Sequence, residues 1–300
     1  MSPKEFDPLA TARQDSHSDK GSEDTPQTRA PSFRLAFADE NFLLRADLRP
    51  VRLQLELLKP ELLLREQGVE STISVFGSAR IPEREIAMRR LAQAEAAVVA
   101  APGRAELKAG VAQAKRVLAN SRYYEEARRL TSIASVACRT KAVGEFIVLT
   151  GGGPGIMEAA NRGAADANAK SVGLDIVLPH EQAPNRYVTP ELCFQFHYFA
   201  IRKMHFLQRA KALVFFPGGF GTLDEMFEAA TLMQTGKIER IPFLLFGRAF
   251  WDRVINFAML VEEGMIAQKD LDIFQFVETA EEAWRLIAAH WKLDVEPATS

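Results

Sequence analysis

The stretch Leu213-Val214-Phe215-Phe216-Pro217-Gly218-Gly219-Phe220-Gly221-Thr222-Leu223-Asp224-Glu225 decides the fold. A run of large apolar residues passes through a Pro-Gly step into a glycine-rich turn, and then into a helix-prone segment. An apolar run without alternation reads as a strand covered on both faces, as in a parallel sheet. A turn leading straight from such a strand into a helix leaves free backbone amides beyond the carboxyl end of the strand. Ligands of open parallel sheets bind there.

The same grammar recurs on both sides of this stretch. Short apolar runs closed by Gly or Pro lie at residues 72–76, 146–149, 172–178, 213–216 and 243–246, with a weaker one at 273–277. Helical patterns separate them at 123–142, 156–169, 197–211, 222–234, 250–262 and 280–291. The alternation predicts an α/β fold, a parallel sheet flanked by helices and joined by right-handed crossovers. Residues 81–120 break the rhythm: they are Ala-rich, interrupted at Pro102-Gly103, and read as an inserted helical hairpin, with Ser121 a candidate N-cap for the next helix.

Residues 1–32 are rich in Ser, Asp, Lys, Thr and Pro and read as a disordered tail. Residues 33–70 read as an N-terminal helical extension, with Leu44, Leu48, Val51, Leu55, Leu58 and Leu62 forming an amphipathic stripe. Pro50 and Pro60 are expected to divide it into two short helices. The stripe fits packing on the domain's own core, or a subunit interface. Residues 71–293 form the main domain, and 294–300 a C-terminal tail.

Composition excludes several function classes. A net charge of -2 with no basic block gives no basis for nucleic-acid binding. Cys138 and Cys193 form no C-x-x-C pair and neither sits beside a His, and His197 and His205 do not share a helix face, so neither a metal site nor a disulfide framework is expected. No apolar run approaches the length of a membrane span, and the acidic N-terminus fits no targeting segment, so a cytoplasmic protein is expected.

The glycine turns carry the functional signal. Gly77-Ser78-Ala79-Arg80 follows the first strand, Gly151-Gly152-Gly153-Pro154-Gly155 the second, and Gly218-Gly219-Phe220-Gly221 the run at 213–216. Three such turns at one sheet edge suit a phosphate-bearing ligand, because glycine lets backbone amides approach an anion. The alternative is that these glycines only permit tight turns. The G-x-G-x-G spacing at 151–155, without an acidic residue at the ribose-binding distance, argues against a dinucleotide. No G-x-x-x-x-G-K-[ST] is present, so a mononucleotide fits best.

Pro217-Gly218-Gly219-Phe220-Gly221-Thr222-Leu223-Asp224-Glu225 matches P-G-G-x-G-T-x-x-E, and Arg202-Lys203 supplies a preceding basic pair. In these features, from about residue 72 to 263, the chain resembles the LOG (Lonely Guy) family, nucleoside 5′-monophosphate phosphoribohydrolases formerly labelled lysine decarboxylases. Gly-Ile-Met-Glu and Phe-His-Tyr-Phe-Ala-Ile-Arg-Lys resemble its larger bacterial branch. The resemblance implies a modified Rossmann fold, no cofactor, no metal, and a homo-oligomer. It implies cleavage of the base–ribose bond of AMP or an N6-substituted AMP, with Arg202 and Glu225 catalytic. The backbone of Gly218, Gly219, Gly221 and Thr222 would hold the phosphate; Gly77, Ser78, Gly152, Gly153 and Lys203 would complete the nucleotide site. A non-catalytic nucleotide or molybdenum-cofactor carrier on the same fold is the alternative.

Each assignment has a plainer rival. Thr222-x-x-Glu225 also fits a capping box. Arg202 and Lys203 also fit a solvated helix face. Glu158 could cap its helix or touch ribose. Phe196, Tyr198, Phe199 and Met204 read mostly as core, with one or two lining a base pocket.

Overall fold

The computed structural model of the chain describes residues 12, 23–139, 146–179 and 183–293. The chain divides into two units, residues 1–59 and 60–300. Most of the expected tail at 1–32, and all of that at 294–300, lies outside the described residues.

In the first unit, 3-10 turns at Pro31–Phe33 and Ala36–Ala38 precede helix α1 (Glu40–Leu43). Asp39 caps α1 by accepting from the Phe42 amide at 3.2 Å. Helix α2 (Arg49–Glu66) begins here and contains both prolines. The expected division into two short helices is therefore corrected. Pro50 sits in the first turn, where its missing N–H costs nothing, and Pro60 lies inside one continuous helix. In the last part of α2, Pro60 and Leu64 are the buried residues, while Leu62 of the expected stripe is 48% exposed.

The second unit is an α/β sandwich. Seven parallel strands, β1 (Ser71–Phe76), β2 (Phe146–Thr150), β3 (Ser171–Ile176), β4 (Cys193–Phe196), β5 (Ala210–Phe215), β6 (Phe243–Phe246) and β7 (Gln275–Val277), lie in the order β4-β3-β2-β1-β5-β6-β7. The central strands are buried on both faces, and successive side chains enter opposite cores. Ile73, Val75 and Val214 pack under α5 (Arg122–Arg139), α6 (Ile156–Asp166) and α11 (Ala280–His290). Phe76, Leu213 and Phe215 pack under α7 (Phe199–Gln208), α8 (Phe220–Gln234) and α9 (Arg248–Val254).

Three local readings are corrected. Strand β4 was not expected; it is a four-residue edge strand whose burial alternates, so it lacks the apolar run of the central strands. The helix expected over 250–262 is two helices, because Ile255 is extended and the Asn256 side chain caps α10 (Phe257–Glu262) at the Met259 amide, 3.1 Å away. Ser121 does not cap α5: its hydroxyl donates backwards to the Leu118 carbonyl at 2.7 Å. The segment between β1 and α5 does form a hairpin, α3 (Arg84–Ala100) and α4 (Ala105–Asn120). Ala87 is the one buried residue of α3, and α4 buries none. Glu83, at the foot of the hairpin, pairs with Arg162 on α6 at 2.6 Å.

Candidate functional site

Chain order runs outward from β1 to β4, then returns to β5 on the other side of β1. The turns after β1 and β5 therefore diverge around one crevice, the place where open parallel sheets bind ligands. A cavity of about 590 Å³ opens there, lined by residues 77–80, Gly151, Met157, Phe199, Arg202, Phe206 and residues 219–225.

The first turn is stitched to both neighbours. The Ser78 amide donates to the Pro217 carbonyl at 3.1 Å, and the Ile156 amide donates to the Ser78 carbonyl at 3.2 Å. A Cβ on Gly77 would lie 2.6 Å from the Ile156 side chain, so that glycine is needed for packing. The turn after β5 behaves differently. Helix α8 starts at Phe220 with Gly219 as N-cap, and no side chain caps it. Its first amide to find a helix acceptor is that of Leu223, on the Gly219 carbonyl at 3.0 Å. Around Gly219 and Gly221 there is nothing within 4 Å of an added Cβ. Uncapped amides at a helix start, beside open space, are free to receive an anion.

Because α8 begins two residues before Thr222, the capping box is not formed. Thr222 is buried and folds back against Gly218. Glu225 lines the cavity instead. Burial pushes its carboxyl up to about 7, against the pull of Lys203 and Arg202 and with a smaller push from Glu228 and Asp224.

Arg202 enters the cavity from α7. Its Nε donates to the Leu174 carbonyl at 2.7 Å, and its guanidinium lies 5.1 Å from the Phe206 ring centroid. Burial draws its pKa down, opposed by the carboxylates of Glu225 and Asp175. Among the described residues no ion pair within 4 Å joins Arg202 to Glu225, so the two act on one another across the cavity.

Other expected site residues stand elsewhere. Lys203 pairs with Asp224 at 3.0 Å and Glu228 at 2.8 Å, tying α7 to α8, and is not part of the cavity wall. Gly152 lies against the Asp175 carboxylate and Gly153 against Met157; neither lines the cavity. Glu158 accepts from the Tyr124 hydroxyl at 2.9 Å, also off the cavity wall. Of the aromatic group, Phe199 faces the cavity while Phe196 is core. Sequence reasoning passed over Arg80, Met157 and Phe206 as lining residues. Arg80 had a readable signal, standing three residues after Gly77 in the first turn; Phe206 had none. Among the described residues, no group of three or more His, Cys, Asp or Glu is placed to hold a metal ion, and no helix is long and apolar enough to cross a membrane.

A family described as "Possible lysine decarboxylase" matches residues 157–287. The family match takes in the turn after β5 and begins after the other two turns. The cytokinin riboside 5′-monophosphate phosphoribohydrolase LOG of Oryza sativa subsp. japonica is 31% identical over 140 residues, 45% of this chain and 56% of the rice protein. The phosphoribohydrolase LOG3 of Arabidopsis thaliana is 28% identical over 140 residues, 45% of this chain and 63% of that protein. The match thus spans less than two thirds of these relatives. Among solved structures, the molybdenum cofactor binding protein of Rippkaea orientalis aligns with a TM-score of 0.40 at 18% identity, over 56% of this chain and 88% of its own. The molybdenum cofactor carrier protein of Chlamydomonas reinhardtii aligns with a TM-score of 0.39 at 21% identity, over 57% of this chain and 88% of its own. In its signature and these sequence matches, the chain is similar to the LOG family.

Proposed function

We propose that the cavity binds a purine nucleoside 5′-monophosphate, AMP or an N6-substituted AMP, and hydrolyses its base–ribose bond. The products are ribose 5-phosphate and the free base. One observation carries the reading: the uncapped start of α8 and the half-buried Glu225 belong to one helix and one cavity. Glu225 stands five positions after Phe220, about 7.5 Å along a helix axis. That suits a ligand with an anion at one end and a reacting carbon some ångströms away. The relatives named phosphoribohydrolases support the reaction class.

The chemistry follows from the bond broken. As the base departs with the bonding electrons, C1′ gains oxocarbenium character, and a carboxylate facing it stabilises that charge. Water adds to C1′ and gives a proton to Glu225, the departing base takes up a proton from solvent, and Glu225 then returns its proton to solvent. Glu225 must therefore be ionised, and Arg202 and Lys203 are the cations that favour this state. The wall of Met157, Phe199 and Phe206 offers apolar surface for a purine. The same reading has the protein acting as a homo-oligomer in the cytoplasm.

Incubation with AMP, GMP, CMP and isopentenyl-AMP, following base release, tests the proposal. Glu225→Gln should lower turnover by roughly 10²–10⁴-fold while AMP still binds. Unchanged turnover in that variant defeats the mechanism. Tight binding of a monophosphate without cleavage by the wild type replaces the hydrolase with a carrier.

A further inference from the structure

The turn at residues 151–155 contains glycines that the anion seat does not use. Its first glycine lies under Arg202: a Cβ there would come 2.6 Å from Arg202 Nη2. At the second, Gly152, φ is +73°, and a Cβ would strike the Asp175 carboxylate. Asp175 follows Leu174 on β3, and the Leu174 carbonyl accepts the Arg202 Nε hydrogen bond. Two consecutive glycines thus make room for two oppositely charged side chains, one of which already lines the cavity.

We infer that Asp175 is a positioning residue: seated on Gly152 beside the Leu174 carbonyl, it stations the Arg202 guanidinium in the cavity and takes up part of its charge. The role deepens the hydrolase reading and rests on it for its kinetic consequence. Arg202 feels two carboxylates, Glu225 across the cavity and Asp175 behind it. Asp175 in turn faces Cys193 on β4, whose Sγ lies 3.7 Å from Oδ2, and that thiol is pushed up to about 11 by burial and then by the Asp175 charge. Glu225 faces Lys203 and Arg202 from α7, and Asp224 and Glu228 from its own helix. Arg80 stands on the same cavity wall.

The sign of the effect follows from charge alone. Asp175 offsets part of the field that Arg202 casts on Glu225, which raises the pH at which Glu225 ionises. Removing that negative charge leaves Arg202 uncompensated, so Glu225 loses its proton at lower pH.

The experiment compares wild type, Asp175→Asn and Asp175→Glu. The acidic limb of kcat/KM for AMP should fall by about half a pH unit to one pH unit in Asp175→Asn. It should stay in place in Asp175→Glu, which keeps the charge. kcat should fall about tenfold in Asp175→Asn with KM changed less than about threefold, as for a group acting on the reacting end rather than on binding. A carbon-13 NMR titration of the Glu225 carboxyl, assigned by its loss in Glu225→Gln, reads the same shift without any turnover. A limb and a titration that stay put in Asp175→Asn overturn the inference, as does an equal shift in Asp175→Glu. A wild type that cleaves no monophosphate overturns the hydrolase reading and leaves the titration to decide on Asp175. Asp175→Ser gives the same readout if the Asn variant fails to fold.

Discussion

The glycine-rich turns after β2 and β5 look alike as strings, and they do opposite work. In the turn after β2, Cβ positions at Gly151, Gly152, Gly153 and Gly155 are filled by the protein's own atoms: Arg202, Asp175, Met157 and the Ser78-Ala79 backbone. In the turn after β5, Gly219 and Gly221 face open space beside an uncapped helix start. The first is glycine because the fold occupies the space. In the second, Thr222 fills the space at Gly218, while the space at Gly219 and Gly221 is left vacant, as a ligand's approach requires. Glycine content therefore marks close approach without saying what approaches.

The contrast can be broken by substitution. The largest effect on stability is expected from Gly155→Ala. Its φ of +72° is combined with contacts to backbone atoms that cannot move aside. Together these should cost roughly 3–5 kcal/mol, read as a lower urea midpoint. A variant as stable as wild type would show that the turn is not packed as described.

Gly221→Ala should do the reverse. It lies in the first turn of α8 with nothing near its Cβ, so alanine should hold or raise stability by up to about 1 kcal/mol. The added methyl should crowd the anion seat and weaken AMP binding about tenfold, roughly 1.4 kcal/mol, measured by calorimetry. Unchanged affinity would move the phosphate elsewhere.

Glu225→Gln sharpens the comparison from the other end of α8. A carboxyl raised from 4.5 to about 7 by burial favours the folded state while protonated. That contribution is present below pH 4.5 and lost as pH rises through about 7. The variant should therefore be more stable than wild type at pH 8, by on the order of 1–2 kcal/mol after allowing for partial exposure, and no more stable at pH 4. Thermal melts at the two pH values check it, and an equal gain at both would refute burial as the cause.

The smallest effect belongs to Lys203. Burial works against its charge, but Glu228 and Asp224 outweigh that and raise its pKa. Lys203→Gln should move the acidic limb of kcat/KM upward, because the largest cation-derived pull on Glu225 is gone. AMP affinity should change less than about threefold, whereas a direct phosphate ligand would cost far more.

Much of the fold was legible because its signals are local. Strand β6 is found at the residues expected, and the others shifted by a few residues, because buried parallel strands write themselves as unbroken apolar runs. Strand β4 escaped because an edge strand buries only alternate residues: Phe194 and Phe196 inward, Gln195 outward. Pro60 misled because a proline signal states a local cost, and the burial of Pro60 and Leu64 shows packing that can offset it.

The candidate site was legible only in part. The strand–glycine–helix order placed Gly219, Gly221 and Glu225 near one another, since all lie within seven residues of chain. Sequence spacing could not show that Lys203 would be taken by Asp224 and Glu228, or that Gly152 would meet Asp175.

By itself the sequence determined the alternation of elements, the parallel sheet and the position of the glycine turns, because each depends on neighbours a few residues away. Only the tertiary structure decided that β1 and β5 lie side by side, that the turn after β2 is filled, and that Gly219 and Gly221 after β5 face open space. The physical reason is that free space around a backbone is set by side chains from distant segments. Arg202 and Asp175 reach the 151–155 turn from another helix and another strand, and no local pattern records their arrival.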